Sequence, residues 1–443
     1  MHQLKRSDLL ALGFMTFALF LGAGNIIFPP DVGRTAGEAV WPAAFGFLST
    51  GVGLPLLGVV AAAIIGGGLS DITQPLPRWG AVIFGLSIYL SIGPLFAIPR
   101  TATVAYEIGA DPFIPGDSAL GLALYIVVFF TISTLLALSP GKLMDRVGKW
   151  ITPALIAVLA IMAIAVLVDP QGPIGHRDAE LSGSAFGFGF LEGYQTMDTL
   201  ASVVFGIVII QAIRDKGINE RAQITRYTLI AGFIAALCLS LVYLPLAWLG
   251  ATSHTIAPHV ANGGKMIALY IQGIFGAWGQ VMLAIVISLA CLTTAIGLLT
   301  CCGEYLHQLM PRLPYKPTVI VLAIFSALIA NQGLSTIIQF SIPVLVALYP
   351  LTMVLIGLSL IKPWLRDPER VYRIALGLTL IISLYDGLKQ AGVEMGSLAH
   401  YYQQLPLASA GIAWSLPAAL GLLLGLLMQR RHSKLEQVQS SQG

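Results

Sequence analysis

Of 443 residues, 56% are hydrophobic and 10% are charged, and the formal net charge is +3. Soluble domains carry roughly a quarter charged residues, so this composition, with a mean hydropathy of +0.83, excludes a soluble protein and specifies one embedded in a bilayer. The small basic excess is a matter of membrane topology and calls for no nucleic acid.

Apolar runs approach the ~20 residues that a helix needs to cross ~30 Å of hydrocarbon. They fall at residues 8–28, 41–65, 81–106, 119–138, 149–168, 185–211, 227–250, 271–302, 318–331, 336–360, 372–388 and 409–428. The predicted fold is an all-α integral membrane protein of 12 transmembrane helices, a single polytopic domain over residues 1–443. The first run is too long, and continues too far past its glycines, for a cleaved signal peptide, and is kept as a helix of the mature chain.

That first run is badly built for a continuous helix. Gly22 and Gly24 each weaken a helix by ~1 kcal/mol relative to alanine, and Pro29 and Pro30 donate nothing to an intrahelical ladder. Glycines alone also serve close helix packing, but with the prolines and Asn25 beside them a break is predicted. A broken helix inside hydrocarbon is tolerated only where its freed backbone faces protein or a small aqueous cavity. Freed carbonyls of Ala18 and Leu21 can then ligate a cation, and the amino end of the second half-helix can face an anion.

Lysine and arginine alternate between the runs. The N-terminus, the even-numbered connections and the C-terminus hold 19 of them, including Lys142, Arg146 and Lys149, whereas the odd-numbered connections hold 5: Arg34, Arg100, Arg177, Lys265 and Lys389. The bias places both termini in the cytoplasm. The longest outer connections, 169–184 and 251–270, are rich in Gly, Pro and His and read as gate segments or as solvated loops. Cys238, Cys291, Cys301 and Cys302 have no metal-ligand spacing and read as small core residues. His2, His176, His254, His259, His307, His400 and His432 fall in loops, helix ends or tails, which points to neither a metal site nor a proton relay.

The sixth run is interrupted by Glu192, Gly193, Tyr194, Gln195, Thr196 and Asp198. A carboxylate at the centre of a spanning helix costs ~2.5–3.5 kcal/mol on insertion scales, so Asp198 must face a partner, either the freed amides of the second half-helix or a cation. Tyr194, Gln195 and Thr196 can each hydrogen-bond a substrate or pack against another helix. Interruptions five helices apart imply two inverted repeats, residues 8–168 and 185–360, with a site at the breaks and accessory helices over 372–428. In the eighth run, Thr293 and Thr294 either bond back to their own helix or join the Ala290 carbonyl in an oxygen shell for a hard monovalent cation.

At these clusters the chain resembles a known family. Gly22-Ala23-Gly24-Asn25 with Pro30, and Ala290-Cys291-Leu292-Thr293-Thr294, look like the sodium-site segments of the LeuT-type fold. The N-terminal run, Tyr194 to Asp198 and the helix count look like the bacterial branched-chain amino acid:cation symporters, the BrnQ-type carriers, over nearly the whole chain. The resemblance implies a 5+5 inverted repeat with helices 1 and 6 broken, and a sodium site formed by the carbonyls of Ala18, Leu21 and Ala290 with the hydroxyls of Thr293 and Thr294. It also implies substrate contacts by Gly22, Ala23, Gly24, Asn25, Gly193, Tyr194, Gln195, Thr196 and Asp198, with Asn25 beside a second sodium.

Two functional readings remain open. The first is import of leucine, isoleucine and valine driven by sodium across a bacterial cytoplasmic membrane, without an organic cofactor or enzymatic step. The second is proton-coupled transport of small apolar amino acids, with Asp198 or Glu192 carrying the proton. No His-Glu-x-x-His motif or nucleotide-binding glycine loop supports an enzyme.

Overall fold

The first helix begins at Arg6 and ends where glycine removes its support: α1 spans Arg6–Phe20 and α2 spans Ala23–Ala36, with Leu21 and Gly22 between them. In this computed structural model the described residues are 4–114, 119–138, 152–178, 181, 183–258, 260 and 262–440. Lys142, Arg146, Lys149, His2 and His259 lie outside them, as does the start of the fifth predicted helix. Pro29 and Pro30 do not end the helix but lie inside α2. Each merely leaves the carbonyl four residues earlier, on Asn25 and Ile26, without an amide from that ring.

The second predicted helix is α3 (Val40–Leu48) and α4 (Leu54–Ile65), joined by a π turn at Ser49–Gly53. After the short α5 (Leu69–Ile72), the third is likewise divided into α6 (Arg78–Leu90) and α7 (Ala97–Gly109). Gly93 and Pro94 lie in the intervening Ser91–Leu95 turn, where Gly93 leaves helical geometry. Next come α8 (Ala119–Ala137) and α9 (Thr152–Val168).

The sixth predicted helix is α10 (Ala185–Glu192) and α11 (Asp198–Arg214), bent by 47° across a 3-10 turn at Gly193–Thr196. They are followed by α12 (Arg221–Ala251) and α13 (Gly263–Leu309). The latter starts at Gly263 rather than at 271, because the Asn262 side chain accepts the Lys265 amide and caps it, and it turns again at Gly276, φ 62°. The remaining helices are α14 (Tyr315–Ala330), α15 (Leu334–Ile361), α16 (Pro368–Gln390), α17 (Leu398–Gln403) and α18 (Ser415–Ser440).

No strand occurs among the described residues. Among the described residues, seven helical stretches are long and apolar enough to cross a membrane, or eight with the bent pair α10–α11 counted as one. Four arginines and lysines assigned above to outer connections are in helices: Arg34 in α2, Arg100 in α7, Lys265 in α13 and Lys389 in α16. The segment after α9 is tied to its neighbours, the Gly175 amide donating to the Ala251 carbonyl at 2.9 Å and the Asp178 amide to the Thr35 carbonyl at 3.0 Å.

Both broken helices pack on partners of their own. The halves α1 and α2 lie along α12, while α10 lies along α3 and α11 along α4. Glycines set the approach. A β-carbon added at Gly33 would stand 1.8 Å from the Ala247 carbonyl oxygen, and one at Gly250 would stand 1.9 Å from that of Pro30. Gly189 and Gly46 do the same between α10 and α3, at 1.8 Å from Ala43 and 2.0 Å from Phe186. Gly250→Ala is accordingly expected to cost ~1–3 kcal/mol through overpacking and to lower the melting temperature in detergent. Gly357→Ala, which meets nothing within 4 Å, is the control, and equal melting temperatures for the two variants would contradict the packing account.

Candidate functional site

The first break is organised by Asn25. Its Oδ1 accepts the Gly22 amide at 3.0 Å, closing the amino end of α2 as an N-terminal cap does. That amide is the donor that would otherwise continue α1 to the Ala18 carbonyl, so the cap is what frees Ala18. The Leu21 carbonyl is taken up differently: Thr294 Oγ1, from α13, donates to it at 3.1 Å. A side chain at Gly22 would meet Thr294 Cγ2 at 3.1 Å, so the glycine permits this approach as well as the break.

Thr293 turns its hydroxyl back to the Ala290 carbonyl at 2.9 Å. Of the five expected cation ligands, Leu21 and Thr294 therefore meet across two helices, Ala18 is freed, and Thr293 and Ala290 are joined within one turn of α13. All five offer oxygen, the donor a hard monovalent cation takes, and of the five only Thr294 borders the cavity described below.

The second break is held from α3, α4 and the turn between them. Thr50 Oγ1 donates to the Phe190 carbonyl at 2.7 Å, and Thr199 Oγ1 donates to the Thr50 carbonyl at 3.2 Å. A β-carbon on Gly193 would lie 1.9 Å from Thr50 Oγ1, which fixes glycine there. Met197 takes a left-handed conformation, φ 63°, and the Thr196 hydroxyl spans the turn between the Gly193 carbonyl, 2.9 Å, and the Asp198 amide, 3.3 Å. The breaks touch at Gly24, where a β-carbon would stand 3.2 Å from both the Gln195 carbonyl and Thr196 Cα.

Asp198 connects the two. Its carboxylate accepts from Asn25 Nδ2 and, at 3.2 Å, from the Tyr243 hydroxyl of α12, and Asn25 Nδ2 also reaches that hydroxyl. The carboxylate thus binds side chains from the other broken helix and from α12, and its own amide goes to Thr196. Gly22, Ala23, Gly24, Asn25, Thr196, Asp198 and Thr294 border a cavity of about 30 Å³, room for a water molecule or two. Tyr194 instead stacks on Tyr349 of α15, ring centroids 4.4 Å apart, and Gly193, Tyr194 and Gln195 are not on the cavity wall.

Among the residues that escaped the sequence reading are Tyr243, in this network, and Arg100, on the cavity wall. Tyr243 carries no signal in an apolar run, since a tyrosine there is ordinary. Arg100 did: a guanidinium within a predicted helix is a functional marker, and assigning it to a connection concealed it. It is 2% exposed, with Nη1 donating to the Gln195 carbonyl at 2.6 Å and Nη2 to Ser341 Oγ at 3.0 Å.

The whole-chain comparisons agree with this architecture. Residues 5–432 match the model of the family described as branched-chain amino acid transport protein. The chain belongs to that family. This family member is 52% identical over 431 residues to the branched-chain amino acid transport system 2 carrier protein of Pseudomonas aeruginosa, covering 97% of this chain and 98% of the relative. It is 46% identical to the branched-chain amino acid permease BrnQ of Escherichia coli, covering 97% of each.

Among solved structures, MHP1, a nucleobase-cation-symport-1 family transporter, aligns with a TM-score of 0.64 at 16% identity over 96% of this chain and 93% of that one. MhsT in complex with L-phenylalanine aligns at 0.56 and 15% identity, over 94% and 98%. The family member is therefore a multi-pass transport protein with LeuT-like structural neighbours, and not an enzyme.

Proposed function

We propose that this chain is a secondary active symporter that imports leucine, isoleucine and valine with sodium by alternating access. In this reading it has 12 membrane spans, with both termini in the cytoplasm of a bacterium. Its core is two inverted five-helix repeats, and the helices over 372–428 are accessory. The relatives' names supply the substrate class. Support for the repeat comes from packing: exchanging helix one with six and two with seven turns the pair α1/α2 against α12 into the pair α10/α11 against α3/α4.

The observation that carries the mechanism is the bond from Thr294 of α13 to the carbonyl of Leu21 at the break. A sodium ion held by Leu21, Thr294, Ala18, Ala290 and Thr293 ties helix one to helix eight. It then favours whichever arrangement brings those oxygens together, and that differential affinity couples ion to substrate. The amino acid sits at the neighbouring breaks, around Gly22 to Asn25, Thr196 and Asp198. Selectivity among the aliphatic side chains is modest, because one methylene is worth only ~1–3 kcal/mol.

Radiolabelled leucine uptake into proteoliposomes is expected to rise at least tenfold with an inward sodium gradient, with isoleucine and valine competing and alanine competing weakly. Neither Asp198 nor Glu192 has an ion-pair partner among the described residues, which favours proton coupling through one of them. Full uptake in sodium-free buffer under an imposed pH gradient would establish that second reading in place of the first.

A further inference from the structure

Among the described residues, the formally charged side chains that are buried are Arg100, 2% exposed, and Asp198, 3% exposed. Both border the same cavity, and no ion pair joins them. Asp198 is held at one side by Asn25 and Tyr243. Arg100 projects from the first turn of α7, just past the Gly93 and Pro94 kink, and lies 5.2 Å from the centroid of the Phe28 ring.

A guanidinium presents five N–H donors in a rigid fork. The two hydrogen bonds of Arg100 end on neutral oxygens, the Gln195 carbonyl and Ser341 Oγ, and its Nε is buried without a partner. A buried charge of this kind is costly unless an anion meets it. The cavity therefore has a positive pole with donors to spare and a separate negative pole. Leu19, Phe20, Ile92, Phe205 and Leu298 are its apolar walls. That is the complement of a zwitterion with an aliphatic side chain.

We propose that Arg100 is the carboxylate anchor of the substrate site. The α-carboxylate of the amino acid pairs with the free donors of the guanidinium, its ammonium turns to Asp198, and its side chain lies on the apolar wall. This rests on the substrate class argued above and places at Arg100 an anion that the sequence alone set against the amino end of the second half-helix. Because Nη1 holds the Gln195 carbonyl, a carboxylate drawn to Arg100 also engages the second break. The cavity of about 30 Å³ implies that the half-helices separate to admit the amino acid.

The test is competition against radiolabelled leucine uptake by L-leucine and by L-leucinamide, which keeps the ammonium and side chain but has no carboxylate. In the wild type, leucinamide should compete at least tenfold more weakly, the factor expected for one charge-assisted interaction of ~1.5–3 kcal/mol. Arg100→Lys and Arg100→Gln should weaken leucine by about tenfold or more and leucinamide by less than about twofold, collapsing the ratio. Equal competition by the two ligands in the wild type, a measurement that needs no variant to fold, overturns the assignment. So does a parallel loss for both in the variants, the signature of an arginine that only braces the second break. The coupling reading fails separately: sodium-independent uptake with the leucine-to-leucinamide ratio intact removes the ion and leaves the anchor.

Discussion

Thr294→Ala is expected to raise the sodium concentration for half-maximal leucine uptake at least tenfold, and Thr293→Ala to raise it far less. The asymmetry follows from where the hydroxyls point. Thr294 Oγ1 reaches out of α13 to the Leu21 carbonyl at 3.1 Å, whereas Thr293 Oγ1 is satisfied by Ala290 one turn back at 2.9 Å. Removing the first takes away both an oxygen and the link that aligns helix eight with the break. Removing the second takes away an oxygen whose present partner lies in its own helix. A hydrogen bond to a charged group contributes ~1.5–3 kcal/mol, which converts to about tenfold or a hundredfold in ion affinity. Thr294→Ser keeps the hydroxyl and should keep most of the response, and the double alanine variant should lose it almost completely. A sodium titration of uptake in proteoliposomes reads all four, and an unchanged half-saturation in Thr294→Ala would detach α13 from the ion site.

The sequence displayed the breaks because a break needs residues that are rare in a spanning helix. Gly22 with Asn25, and Gly193 with Asp198, are such combinations, and α1 and α10 end beside them. The extent of each interruption was less legible. Pro29 and Pro30 pass inside α2, since each removes one donor and the surrounding helix retains the rest. Gly93 and Pro94 were read through as an apolar run, although they divide α6 from α7.

Arg100 was hidden by counting charge along the chain rather than across it: its partners, Gln195 and Ser341, lie 95 and 241 residues away. Tyr243 was illegible for another reason: a tyrosine in an apolar run is ordinary, and its meaning arises only where α12 meets the residues of both breaks. The start of α13 was available locally, as an asparagine cap at Asn262, but Gly263 and Gly264 argued for a loop. Local chemistry therefore announced where helices fail, and only the fold revealed which side chains fill the gap.

Asn25→Asp should be the most damaging single substitution at the site, with leucine uptake reduced at least a hundredfold and the melting temperature lowered. The new side chain still offers an oxygen to the Gly22 amide, so the cap at 3.0 Å survives. What changes is the other end, where an amide that donates to Asp198 and to Tyr243 becomes a second carboxylate facing the first. With Asn25 1% and Asp198 3% exposed, no solvent separates them, and two carboxylates in contact do not both hold charge. The hydrogen bond that the amide made to the Asp198 carboxylate is lost, ~1.5–3 kcal/mol, and the contact between two acidic groups adds to it, consistent with a loss of about a hundredfold in the competent population.

The exchange variant Asn25→Asp with Asp198→Asn restores one donor and one acceptor between the two positions. It should recover most of the melting temperature measured in detergent without substrate. Its uptake is expected to remain low, because the carboxylate has moved from helix six to helix one, away from the position assigned above to the partner of the substrate ammonium. Recovery of stability without recovery of transport would separate the hydrogen-bonding role of the pair from the role of Asp198 toward the substrate ammonium. If the exchange were as unstable as Asn25→Asp alone, the bond between Asn25 and Asp198 would not be what joins the two breaks.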